Sequence, residues 1–169
     1  DCLLSRGLGD VYKRQRQRAY EQAKQLLERY PATRLVWSAN DQMAFGAMQA
    51  FEEAGYTAGR DVLFAAVNSS PEALRARIDG RLSVLMGGHF TLGGWAMVML
   101  HDDAHGLALN RDGLRERRVP VLQEIDQAKA RRWLKLLERD DYGVDFRRYS
   151  AEGRPPGYRY PFLASPVEY

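Results

Sequence analysis

The chain has 169 residues, 45% of them hydrophobic and 28% charged, with a formal net charge of +3. Those proportions support a buried core and exclude the fibrous and intrinsically disordered classes. No run approaches the roughly 18 consecutive apolar residues of a membrane helix, and arginine is spread along the chain instead of blocked, which points away from membrane insertion and from nucleic acid as a partner.

Cys2 is the single cysteine, so no intramolecular disulfide pair exists and the redox compartment stays open. The opening stretch DCLLSRGLGDVYKRQ lacks a starting Met, a long apolar core and a small-residue cleavage site, so it does not read as a signal peptide. It resembles translated adapter sequence. Residues 1–15 are therefore expected to be non-native, with the true N-terminal part of the protein missing.

From Arg18 the apolar residues Ala19, Tyr20, Ala23, Leu26, Leu27 and Tyr30 recur at helical spacing until Pro31, which predicts an amphipathic helix. Arg34 to Ala39 reads as a short strand. Asn40 and Asp41 then hand over to a helix whose apolar face is Met43, Ala44, Ala47, Met48 and Phe51 and which Gly55 ends. A side-chain oxygen of Asn or Asp caps a helix by accepting from its first free N–H groups. One such residue suffices, so the other is available to a ligand.

Asp61 to Val67 is nearly continuous in apolar residues, the pattern of a parallel strand covered on both faces. Asn68-Ser69-Ser70 leads into a third helix over 71–79, with Ser69 or Ser70 as cap, Pro71 in the first turn and Gly80 as the stop. Arg81 to Gly88 reads as a strand closing on two glycines, followed by a helix that is apolar through Trp95 to Leu100 and stopped by Gly106. A charged loop (107–118), a last strand (119–125), a helix from Asp126 to Glu138 and an irregular Pro- and Tyr-rich tail from Asp140 complete the chain.

Strands alternating with helices of about ten residues predict right-handed βαβ units. The expected class is α/β, a Rossmann-like parallel sheet flanked by helices. Ligands of such sheets bind outside the carboxyl ends of the strands. Here those ends carry Asn40-Asp41, Asn68-Ser69-Ser70 and Gly87-Gly88-His89.

Other chemistry is poorly provided for. The segment HDDAH places His101 and His105 one helical turn apart, as zinc-binding helices do, yet Asp is a methylene shorter than the usual Glu base and no third ligand stands out. Gly87-Gly88 lacks the lysine and spacing of a phosphate loop, and Ser69 and Ser70 lack the glycines of a nucleophile elbow. Trp95, Met97, Met99 and Leu100 read as core, and Trp133, Leu134, Leu136 and Leu137 as the packing face of the last helix. No catalytic residue, metal or cofactor is expected.

The run VWSANDQMAFGAMQAFEEAGY, followed by DVLFAAVNSSPEALRARIDGRLSVLMGG, resembles the C-terminal half of ribose-type (type I) periplasmic binding proteins. In that family a strand enters Ala-x-Asn-Asp-x-Met-Ala-x-Gly-Ala, a second enters Gly-Phe-Asp-Gly-x-Pro, and Asp-Gly-x-Leu precedes a strand ending at a hinge Gln. The resemblance covers roughly residues 18–106 and weakens beyond them. It implies a truncated type I periplasmic-binding-protein fold: residues 16–88 as one lobe, 89–139 as a segment crossing to the missing lobe and back, and 140–169 as the irregular tail.

What the resemblance implies about function is a non-enzymatic, periplasmic solute-binding protein. Its two lobes close on a small polar ligand, usually a sugar, and hand it to an ABC permease or signal through a sensor kinase. The implied ligand-binding set is Asn40, Asp41, Val67, Asn68, Gly88 and His89. Asn68 stands where the family has Asp, Val67 where an aromatic often stacks on the sugar, and Gly88 where the hinge Gln falls, with His89 and Phe90 as neighbouring substitutes. The rival resemblance is to the effector-binding domain of lactose-repressor-type regulators. That family continues with an Asp-Asp-rich turn and a Pro-Pro-Leu-Thr-Thr segment where this chain has EALRARIDGRLSVLMGG, as transport receptors do.

Overall fold

A computed structural model describes residues 8–107, 119–137, 144–155 and 157–162, with side chains from Gln15 onward. In chain order the elements are α1 (Leu8–Arg29), β1 (Leu35–Ser38), α2 (Asp41–Glu53), β2 (Leu63–Val67), α3 (Pro71–Ile78), β3 (Val84–Gly87), α4 (Leu92–Ala104), β4 (Gln123–Glu124) and α5 (Gln127–Leu137). Short 3-10 turns at His89–Thr91 and Phe146–Tyr149 precede α4 and open the tail. The predicted charged loop lies outside the described residues except for Leu107.

Helix α1 starts earlier than its apolar periodicity predicts, at Leu8, and stops at Arg29, two residues before Pro31. Its small residues Ala19 and Ala23 are buried, and α1 packs chiefly against α2. Gly46 is why the two helices approach so closely, since a Cβ there would collide with the Arg16 carbonyl oxygen. Arg16 also lies over the Phe45 ring and pairs with Glu72 on α3.

The sheet runs in the order β1-β2-β3-β4. The first three strands are parallel, with Ser38 opposite Ala66 and Ala66 opposite Leu85 on the face that α2 and α3 cover. Phe64, Val62, Leu82, Leu85 and Ile125 form the centre of that core with Met48 and Phe51 of α2 and Leu74 of α3.

Two sequence expectations are corrected here. β2 is not covered on both faces: its residues alternate, and Leu35, Trp37, Leu63 and Val84 on the opposite face are 66%, 69%, 46% and 40% exposed. Among the described residues no helix lies on that side, so an apolar composition that fits two buried faces meets only one cover. The last strand is also shorter than read and antiparallel, with Gln123 opposite Gly87 and Glu124 opposite Met86. Alternation of apolar residues carries no information on strand direction, and the turn into α5 needs only Ile125 and Asp126.

The tail is the third departure, because it packs. Tyr149 and Tyr160 are buried against Trp95 and Val98 of α4 in a second apolar cluster. Gly94 admits the Phe146 ring where a Cβ would overlap it.

Candidate functional site

The carboxyl edge of the parallel strands is built by three strand-to-helix turns. At the end of β1, Asn40 is the N-cap of α2, in extended backbone at φ −149° and ψ 171°. Its Oδ1 accepts from the Met43 N–H at 2.9 Å and its Nδ2 donates to Gln15 Oε1 at 3.1 Å. The cap of the Asn-Asp pair is thus Asn40. Asp41 is 1% exposed. Its Oδ1 accepts from the Gln42 N–H at 2.8 Å and from Asn68 Nδ2 at 3.2 Å, while Oδ2 is buried without a partner among the described residues.

At the end of β2, Asn68 has φ 133°, the one non-glycine residue with positive φ among those described. Such a conformation costs about 1–3 kcal/mol and persists where the surroundings over-determine it. Here its N–H donates to the Met86 carbonyl of β3 at 2.9 Å, its Oδ1 accepts from the Ser69 N–H at 2.9 Å, and its Nδ2 reaches Asp41. Asn68 therefore ties together the ends of β1, β2 and β3. Ser70, not Ser69, caps α3, accepting from the Ala73 N–H at 3.2 Å with Pro71 in the first turn. Val67 is half-buried and pairs with Met86 on the less covered face, so its side chain belongs to the sheet surface and not to the turn.

At the end of β3, Gly88 has φ 114°. A Cβ there would lie 2.5 Å from the Val121 carbonyl oxygen, so both conformation and space demand glycine. His89 opens the 3-10 turn, and its Nδ1 is buried without a partner among the described residues. Beside these turns a cleft of about 210 Å³ opens between the start of α3 and the end of α5, lined by Asn68, Ser69, Pro71, Phe90, Trp133 and Leu137. Phe90 and Trp133 meet edge to face at 5.1 Å.

Reading from sequence missed two residues at this edge. Because β4 runs antiparallel to β3, Gln123 begins β4 at the carboxyl end of β3, and Lys129 Nζ donates to Gln123 Oε1 at 2.7 Å. No local sequence signal marks either residue; the pairing of β4 with β3 and the Lys129 bond place them here.

The HDDAH segment serves another purpose. The His101 and His105 rings stack at 4.2 Å, and no group of three or more His, Cys, Asp or Glu side chains suited to a metal occurs among the described residues. Asp102 is fully buried and accepts from Ser150 Oγ at 2.5 Å, Tyr160 OH at 2.6 Å and the Ala151 N–H at 2.7 Å, with His101 Nδ1 at 3.2 Å. Burial pushes its carboxyl upward, but the bonds from Ser150, Tyr160, Ala151 and His101 outweigh that and hold it at about 2.

Residues 8–106, more than half of the chain, match the profile of the periplasmic binding protein domain. The chain belongs to that family. A periplasmic sugar-binding protein from Pseudomonas fluorescens is 59% identical to this periplasmic binding protein domain over 87% of the chain, which covers 45% of that protein, with a TM-score of 0.80. The binding component of the arabinose ABC transporter from Shewanella sp. ANA-3, solved with α- and β-L-arabinofuranose, is 25% identical over 74% of this chain and 41% of its own, with a TM-score of 0.57. The galactofuranose-binding protein YtfQ of Escherichia coli (strain K12) is 39% identical over 46 residues, 27% of this chain and 14% of that protein. The periplasmic binding protein domain described here thus spans less than half the length of each of these relatives.

Proposed function

We propose that this chain is the sugar-capturing part of an exported, non-enzymatic receptor that works with an ABC permease. The observation that carries the reading is the carboxyl edge itself. Asp41, Asn68 and His89 stand at three strand ends, two of them with a buried polar atom left without a partner among the described residues, in a chain 59% identical to a periplasmic sugar-binding protein. A sugar hydroxyl both donates and accepts. A carboxylate oxygen accepts, and an imidazole nitrogen can do either according to tautomer, so such an edge meets both needs of a polyol.

Each bond contributes about 0.5–1.5 kcal/mol net, so useful affinity requires several of them and exclusion of water from both sides. A second lobe closing over this edge about the crossings near Gly88 would supply that, as a hinge motion between rigid bodies. The relatives, more than twice as long as the matched segment, leave room for such a lobe. Periplasmic location and delivery to a permease belong to this same reading.

The test is a melting series on the complete gene product with L-arabinose, D-galactose, D-ribose and D-fructose. A ligand at a hundred times its dissociation constant stabilises the folded state by about 2.7 kcal/mol, so one sugar of the panel should raise the melting temperature by several degrees. A melting temperature that none of the four moves would overturn the proposal.

A further inference from the structure

Gly88 has no side chain, yet the space one would fill faces polar groups. A Cβ on Gly88 would stand 3.6 Å from Gln123 Nε2 and 3.7 Å from Gln123 Cγ. The returning segment 121–123 therefore closes over the carboxyl end of β3 from the side where residue 88 would have projected.

The Gln123 carboxamide is held in one orientation there. Its Oε1 accepts from Lys129 Nζ at 2.7 Å, and the same ammonium donates to the Glu124 carbonyl at 3.0 Å. An ammonium only donates, so the oxygen of the carboxamide must face Lys129 and the NH2 group must face away. Those two donors have no acceptor among the described residues, and Gln123 is half-buried. A Glu at 123 would satisfy Lys129 with a stronger, charge-assisted bond. What Gln adds is a pair of pre-oriented N–H donors next to the Gly88 backbone, at the carboxyl end of β3.

We infer that Gln123 is a ligand contact of this edge, donating from Nε2 to a hydroxyl or ring oxygen of a sugar, and that Lys129 is its positioning residue. The inference rests on the sugar-binding reading above. It adds a donor to an edge whose Asp41 carboxylate only accepts, and so favours sugars that present an acceptor oxygen toward β3.

Calorimetric titration of the complete protein with whichever of the four panel sugars binds most tightly tests this, using Gln123→Glu, Gln123→Ala and Lys129→Met. Gln123→Glu keeps the bond to Lys129 while exchanging the two donors for a charged oxygen that only accepts. It should weaken the sugar about tenfold without lowering the melting temperature, as should Gln123→Ala, while Lys129→Met should weaken it by a smaller factor. A wild-type protein that binds a sugar of the panel, with Gln123→Glu and Gln123→Ala binding it equally well, overturns this role for Gln123 and leaves the sugar reading standing. A wild-type protein that binds none of the sugars overturns both.

Discussion

Asn68 concentrates the strain of the site in one residue. Its φ of 133° is sustained by three hydrogen bonds, to Met86, Ser69 and Asp41. Glycine adopts that conformation freely but loses both side-chain bonds, so Asn68→Gly should change the urea midpoint little. Asn68→Val, β-branched at positive φ, should cost about 2 kcal/mol or more. Asn40→Ala should cost about 1 kcal/mol of stability through the lost cap on α2, read from the same unfolding curves. That a cap stands at each turn was legible in the sequence because capping is local, but which of Asn40-Asp41 and of Ser69-Ser70 serves came only with the structure, as Asn40 and Ser70. The Asn68 bond to Asp41 was not legible, since it joins residues 27 apart and depends on how β1 and β2 register.

Among the elements, the sheet and the tail carry the largest departures from the sequence reading. Leu35, Trp37, Leu63 and Val84 line an apolar face that no described helix covers. Contiguous exposed apolar surface of this kind drives association. The chain of 169 residues on its own should self-associate with rising concentration in sedimentation velocity, and Trp37→Lys should reduce that while leaving the melting temperature within about 2 °C. Strand existence was legible from apolar runs, but whether one face or two is covered depends on neighbours a single strand cannot specify.

The tail escaped because its 3-10 turn spans only Phe146–Tyr149 and has no periodicity to read. Its anchor, Asp102, sits in a segment whose His101 and His105 spacing mimics a zinc helix without making a metal site, and nothing there signals a partner in the tail. Asp102→Ala would leave Ser150, Tyr160 and the Ala151 N–H without their shared acceptor and should cost about 3 kcal/mol. The folded-state value of about 2 lies below the ordinary 3.8. Asp102 therefore stabilises the protein fully above that ordinary value and ceases to do so as pH falls through about 2. The near-ultraviolet circular dichroism of Trp95 and its tyrosine neighbours should follow that acid transition, and Asp102→Asn should abolish its dependence on pH in that range.

At the scale of the whole molecule, the described residues form two apolar clusters, one between the sheet and α2, α3 and α5, the other between α4 and the tail. The 3-10 turn at His89–Thr91 leads from β3, in the first cluster, to α4, in the second. In the proposed two-lobed receptor that crossing is the hinge about which ligand capture would bring separate bodies together. The carboxyl edge lies beside that turn, with Asp41, Asn68 and His89 following β1, β2 and β3 and Gln123 opening β4 opposite Gly87. The most direct test is amide chemical-shift mapping of the complete gene product titrated with the sugar that stabilises it most. The account predicts that the large, saturable shifts fall on residues 40–42, 68–70, 88–90 and 123. Shifts confined to the open face of the sheet or to the tail, with that edge unmoved, would contradict it.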